Sequence, residues 1–544
     1  MRRSCLALLG AVWAVSAVPG IAGPAALAGS AGESIYRRGA LPAGAELTGI
    51  RDAGTVVTGD TAACVNCHRR SGLGNVEGDI VIPPIIAKYL YRGRAANTED
   101  MTLPHVPGWV PHGWTYTDET LATAIRTGVR PDGQSMNPLM PHYALDDVSM
   151  AALIGYLKDL TSQPVPGVTD TTLHFATIVT PDADPVEKKA MLEVLNRFFA
   201  IQQNVIAAES RPMHASREIM YRVTRRWQLH VWELTGAPQT WERQLDEHLA
   251  VEPVFAVISG LGRHDWRPVH RFCERNAVPC LLPNIDLPVV SEKDFYPVYY
   301  SRGVLLESDL IAARLSSDGA QRPRRLVEVY RADDIGAAAS TDLEAHARAL
   351  GIPVLRRPLP AAAKRSEPAG DLGRAIAELR ADDALVLWLR PADLAALRGR
   401  PATPAVYASG LMAGLETAPL PTAWRAATSL TYPFDPPDQR RVRMNFPLGW
   451  FRVQGIAVTA ERVQTDTYLT CVILSETLGH VLDSFVRDFL LERMEMMLSR
   501  RLVNGYFPRL GLAPGQRFAS KGGYLVHLAE GSGKVILDSE WITP

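Results

Sequence analysis

The sequence predicts a multidomain chain, a small all-α domain followed by a larger α/β domain of two lobes. Three observations predict it. At 544 residues the chain is too long for a single core. A turn-rich amino-terminal stretch sets short helices around Cys64-Val65-Asn66-Cys67-His68. From residue 173 onward, strand-like apolar runs alternate with helical ones. The expected segments are a leader over 1–28, a first domain over 29–162, a Pro- and Gly-containing linker over 163–172 and a second domain over 173–544.

The leader reads as an export signal. Arg2 and Arg3 supply its positive end, residues 6–18 an apolar run, and Ala26-Leu27-Ala28 a small-x-small cleavage site. Pro19, Gly20 and Pro24 break the run, which is short for a membrane span. No later stretch is apolar enough to cross a bilayer, so the mature chain is expected in the periplasm without an integral membrane segment. A net charge of −1, with no basic stripe, gives nucleic-acid binding no electrostatic support.

In the first domain, residues 33–39 read as a short helix closed by Gly39. The Cys64-x-x-Cys67-His68 run follows. Two thiols three positions apart can each add across one vinyl group of a haem, and the adjacent histidine is then placed beneath the iron. A redox pair would want a strand before it and a helix opening at the first cysteine, and a zinc site would want two more ligands nearby; neither pattern stands out. Gly72, Gly74 and Gly78 are expected to let backbone pass close to a large flat ligand. A helix over 85–91 follows Pro83-Pro84, residues 104–113 read as a packed loop, and a further helix runs from Thr117 to a stop at Gly128. Met140 lies in an extended loop just before Pro141, outside any helix, where a thioether can reach a metal. Met136 qualifies by the same chemistry, with His105, His112 and His142 as nitrogen alternatives. From Asp146, apolar residues at helical spacing (Met150, Leu153, Ile154, Leu157, Leu160) predict a helix whose face meets Ile35 and Tyr36.

Together, Ile35-Tyr36, the Cys64 to His68 run, Gly128-Val129-Arg130-Pro131-Asp132-Gly133, Leu139-Met140-Pro141-His142-Tyr143 and Leu153-Ile154-Gly155-Tyr156-Leu157 resemble a class I mono-haem cytochrome c over about residues 33–162. In that family a Met-Pro pair precedes a carboxy-terminal helix with a Tyr-Leu pair, and the methionine is the second axial ligand. The resemblance implies one covalent haem c on Cys64 and Cys67, with His68 and Met140 as the iron ligands. Arg69-Arg70 depart from the family, which often has a glycine soon after the histidine.

In the second domain the strands are expected over 173–179, 228–234, 254–258, 279–282, 326–330, 384–389 and 405–408, with helices between them. A long helical stretch over 465–502 precedes a closing hairpin of 524–528 and 535–539. This alternation predicts doubly wound parallel sheets in two lobes. Cys273 and Cys280 flank the passage from helix to strand, where an oxidising compartment would let them pair; two buried free thiols are the alternative. Cys471 reads as a small core residue.

The segment from Phe255 to Gly260, Asn276-Ala277-Val278-Pro279, Tyr299-Tyr300-Ser301-Arg302 and Gly533-Lys534 resemble the type I periplasmic binding proteins, the branched-chain amino-acid receptor-like group. That family holds ligand between two hinged lobes at the carboxyl ends of the strands. It grips a ligand carboxylate with serine or threonine hydroxyls and backbone amides. Here Arg263 and Asp286 stand in those loops instead, which implies a different ligand or none, and Gly262, Arg263, Asp286 and Tyr300 are the candidate pocket residues.

No nucleophile elbow, P-loop or zinc helix occurs, and the second haem attachment motif of a cytochrome-type peroxidase is missing. The expectation is therefore not an enzyme but an exported electron carrier. Its fused lobes would bind a small ligand or dock a periplasmic redox partner. The alternative is a periplasmic solute receptor whose haem reports redox state. A third reading makes the haem domain one subunit of an enzyme whose catalytic chain is separate.

Overall fold

The computed structural model describes residues 30–544 except 53, 92–105, 107–108, 110–113, 210–224, 292, 318–321, 362–367, 482–483 and 500–503. The expected leader, His105 and His112 lie outside the described residues.

The first domain is built on a crossing of its first and last helices. Ser30 opens the helix Ala31–Arg38, its hydroxyl accepting from the Glu33 N–H at 3.1 Å, and Gly39 at φ 58° closes it. A Cβ on Gly32 would sit 2.1 Å from the Ala152 carbonyl oxygen, so only glycine lets this helix meet Asp147–Asp159. Tyr36 packs its ring 5.3 Å from that of Tyr156, and Ile35, Leu153, Ile154 and Leu157 are buried together, as the spacing predicts. The helix Asp118–Thr127 starts on a Thr117–Thr120 capping box and ends at Gly128 in the left-handed region.

This domain is not all-α. Strands β1 (Thr48–Ile50), β2 (Val56–Thr58) and β5 (His142–Tyr143) form an antiparallel sheet in the order β2-β1-β5, and β3 (Asn75–Glu77) pairs with β4 (Ile80–Ile82) as a hairpin. Each strand is two or three residues long, too short to show an alternating pattern in sequence.

The first lobe is a parallel sheet of β6 (Thr172–Val179), β7 (Arg226–Glu233), β8 (Ala256–Ile258), β9 (Cys280–Leu281) and β10 (Pro297–Val298), ordered β10-β9-β8-β6-β7. Cys273 and Cys280 are bonded, tying the helix Arg267–Arg275 to β9. Cys471 is free and buried. The second lobe orders β12 (Val354–Leu359), β11 (Arg325–Arg331), β13 (Asp383–Trp388), β14 (Ala405–Ala408) and β15 (Thr428–Tyr432) in parallel. The closing hairpin β16 (Tyr524–Leu528) and β17 (Val535–Leu537) extends it antiparallel. Strands β12 and β15 escape a reading by sequence pattern because one carries Arg356-Arg357 at a sheet edge and the other is Thr-Ser-Leu-Thr-Tyr, with no apolar run.

The chain changes lobe after β10, after β15 and again before β16. The stretch expected as one long helix is two, Glu461–Val481 and Arg487–Leu498, packed on each other; the first of them also packs against the helix Pro185–Glu209. Among the described residues no helix is long and apolar enough to cross a membrane.

Candidate functional site

The first domain encloses a cavity of about 740 Å³ whose wall includes Cys64, Cys67, His68, Met136 and Met140. Both cysteines, His68 and the two candidate methionines therefore border one space. The remaining wall is mostly apolar and aromatic, with Pro83, Pro84, Trp109, Tyr116, Leu153 and Leu157 among its members.

The short helix Val65–His68 turns Cys64, Cys67 and His68 toward this space. The His68 ring Nδ1 lies 3.0 Å from the Pro83 carbonyl oxygen, which can only accept, so Nδ1 carries the hydrogen and the Nε2 lone pair is left for a ligand role. Burial pushes the imidazole down to about 4, which keeps it neutral and able to bind a metal. Burial likewise pushes the Cys64 thiol up to about 12, and Cys67 up in the same direction. Neither thiol is oxidised to a disulfide.

Met140 is presented by a turn anchored on Asn137. The Met140 N–H donates to the Asn137 backbone carbonyl at 2.9 Å, and the Leu139 N–H to the Asn137 side chain at 3.0 Å. Tyr143 ties this loop to the haem-motif segment, its hydroxyl donating to the Ala62 carbonyl at 2.9 Å. Met140 packs against the same buried cluster as Cys64, and Met136 does not. His142 turns away to Asp52, 3.3 Å from its carboxylate, and does not line the cavity. Gly72, Gly74 and Gly78 do not line it either. Gly72 instead admits a Leu160 methyl and Gly74 the Ile82 carbonyl oxygen, and each of these atoms would stand 2.4 Å from an added Cβ.

The residue set fits a c-type haem. Two thiols, a tautomer-fixed imidazole and a thioether face one apolar space sized for a macrocycle. Trp109, on the cavity wall, has its indole N–H buried with no hydrogen-bond partner among the described residues, a donor that lacks an acceptor.

The segment just past His68 explains the Arg69-Arg70 departure. It docks on the helix Arg487–Leu498, whose Asp488, Glu492 and Glu495 lie on one face. Arg69 pairs with Glu495, Arg37 with Asp488 at 3.3 Å, and the Ser71 N–H and hydroxyl donate to Glu492 at 2.9 and 2.6 Å. The Arg70 guanidinium stands 4.1 Å over the Phe295 ring. Leu73 and Ile86 are buried in the main apolar core of the lobes.

A second set of groups gathers where the carboxyl ends of the two parallel sheets face each other. Asp182, Asp184 and Glu187 follow β6, Arg263 and His264 follow β8, Asp286 follows β9, Asp334 follows β11 and Arg390 follows β13. His264 spans the lobes, 2.8 Å from Asp182 and 3.9 Å from Asp334. Of the four expected pocket residues, Arg263 and Asp286 face this cleft. Gly262 packs under Trp266, and Tyr300 lies behind, donating to the Asp466 carbonyl at 2.6 Å. Arg462 and Asp466 are not among the expected residues, since they come from a helix nearly two hundred residues further on and only their spacing of four hints at a shared face.

The second domain is thus a two-lobed α/β body whose strand ends converge on a charged cleft. No family model and no curated protein matches this sequence. Solved structures do resemble it. A possible leucine/isoleucine/valine-binding protein from Rhodopirellula baltica matches with TM-score 0.48 and 13% identity over 70% of this chain and 98% of its own. A leucine-binding protein from Thermotoga maritima gives 0.46 and 14% over 68% and 99%. A fatty acid ABC transporter substrate-binding protein from Thermomonospora curvata gives 0.46 and 13% over 70% and 95%. A likeness at this level assigns no ligand to this chain.

Proposed function

We propose that this chain is an exported, periplasmic c-type haem protein that carries single electrons, with a fused two-lobed domain that binds a small ligand or docks a redox partner protein. Its haem c would be attached through Cys64 and Cys67 and held by His68 and Met140. One observation supports this above the rest: His68, its tautomer fixed by Pro83, shares an apolar cavity with both thiols and Met140. Haem c, when bound, supplies one-electron chemistry. The Pro83 carbonyl orients the imidazole and raises its basicity. The Asn137 turn holds Met140 at the cavity wall, and its thioether would serve with His68 to hold the haem iron. The apolar wall would favour the less charged state of the site, and the Trp109 N–H, with no acceptor among the described residues, would be a donor for a haem carboxylate, beside Arg130, which pairs with Asp132 at 3.2 Å.

The test is periplasmic expression with a working haem-maturation system. Intact mass should rise by one porphyrin, and Cys64→Ser with Cys67→Ser should abolish the gain. Colourless protein of unmodified mass overturns the reading.

A second reading, a solute receptor whose haem reports redox state or occupancy, has its own support. The helix Glu461–Val481 carries Arg462 and Asp466 at the cleft, and Arg487–Leu498, packed on it, holds the loop after His68. Titrating the haem with and without bound ligand separates the two: linkage requires each to shift the other by the same free energy.

A further inference from the structure

We propose that the cleft between the lobes takes an organic cation, an ammonium or guanidinium compound, seated at Asp466 and Glu187. This rests on the receptor side of the function proposed above and names its ligand class.

Charge accounting leads there. Among the described residues, four cationic side chains at the cleft each already have a carboxylate, and Arg440, whose charge also reaches Asp466, has Glu416. Arg462 meets Asp286 at 3.0 Å, Arg390 grips Asp334 with two bonds of 2.8 and 2.9 Å, His264 meets Asp182 at 2.8 Å, and Arg263 meets Asp184 at 3.6 Å. Glu187 and Asp466 are left over, with no ion pair among the described residues. The Asn284 amide reaches Met191, one turn past Glu187, at 3.8 Å and Thr467, next to Asp466, at 3.2 Å, so the two carboxylates come from adjoining stretches of two packed helices. Asp466 is 3% exposed and its Oδ1 has no hydrogen-bond partner. A buried carboxylate oxygen left bare is costly, and a cationic N–H donor removes that cost. Burial also pushes the Asp466 carboxyl up to about 7, against the pull of Arg462 and Arg440, whose own ion pairs are with Asp286 and Glu416.

The hydroxyl groups argue against an anion. Ser259, at the end of β8, donates to Thr467 at 3.0 Å, and the Asn284 amide donates to both, at 3.0 and 3.2 Å. The Thr177 hydroxyl closes on the Ser259 carbonyl at 3.1 Å. Ser259, Asn284 and Thr177 spend their hydrogens within this cluster and Thr467 is fully buried, so the cluster presents no pair of hydroxyls to a ligand carboxylate. A bare metal ion fits no better. Among the described residues, the one group of three whose ligand atoms approach closely enough for a shared ion is Asp309, Asp342 and His346, outside this set. Solvent reaches the floor of the cleft, since the Arg462 and Asp286 side chains are 28% and 17% exposed.

The test is calorimetric titration of the full-length haem-loaded chain with agmatine, putrescine, leucine and glutarate. Agmatine or putrescine should bind saturably, and Asp466→Asn and Glu187→Gln should each weaken that binding about tenfold or more. The unchanged haem spectrum of each variant reports intact folding. Binding of leucine or glutarate without the amines, or amine binding indifferent to both variants, overturns the cation and leaves the receptor reading standing. Failure of all four to bind overturns the cation and the receptor reading together.

Discussion

At the scale of single residues, the sharpest questions concern sulfur and a buried acid. If Met140 is the distal ligand, Met140→Ala abolishes the sulfur-to-iron absorption band of the oxidised protein while Met136→Ala leaves it in place. The reverse outcome transfers the role to Met136. Asp466 gives a prediction with a definite sign. Its folded-state pKa lies above the ordinary carboxyl range, at about 7. Its contribution is therefore fully present below the unfolded value and is lost as pH rises through 7. Without ligand, Asp466→Asn should be more stable than the parent at pH 8, by roughly 1–3 kcal/mol, and the gap should narrow at pH 5; urea midpoints at the two pH values measure it. The residues proposed to hold a haem are legible in the chain because attachment chemistry is local: five consecutive residues and a Met-Pro pair carry the expectation. Asp466 cannot, because nothing near it in sequence says that Glu187, far away on another helix, shares its space.

At the scale of elements, two connections should prove separable. The Cys273–Cys280 bond closes a loop with a sequence separation of 7 and joins a helix end to β9. Replacing both cysteines by serine should cost about 2–3 kcal/mol in urea unfolding without altering the haem spectrum. The docking of the loop after His68 on Arg487–Leu498 is the other. Ser71→Ala takes a hydroxyl from Glu492, a carboxyl pushed up to about 7 by burial, and should cost about 1–3 kcal/mol. Alternation of strand and helix is legible wherever a strand is buried on both faces, as for β13, Asp-Ala-Leu-Val-Leu-Trp. It fails for β12 and for the two- and three-residue strands of the first domain, where side-chain pattern gives way to hydrogen bonding with distant partners. Arg69 and Arg70 look anomalous in sequence for the same reason. Their partners, Glu495 and Phe295, are hundreds of residues downstream.

At the scale of the whole molecule, the helical pair Glu461–Val481 and Arg487–Leu498 touches both sites. Should ligand affinity differ tenfold between oxidised and reduced protein, the midpoint potential must move by about 59 mV on saturation. A redox titration with saturating agmatine measures this, and a motionless potential leaves the two sites independent. The burial of Ser71, Leu73 and Ile86 beneath the later part of the chain has a further meaning for biogenesis. In the exported chain proposed above, the amino-terminal segment would reach the far side of the membrane before the helix that covers it has been synthesised. Attachment of the proposed cofactor would then have an early window in which residues 64–73 are still bare, and a fragment ending at the linker would keep that face exposed and aggregate.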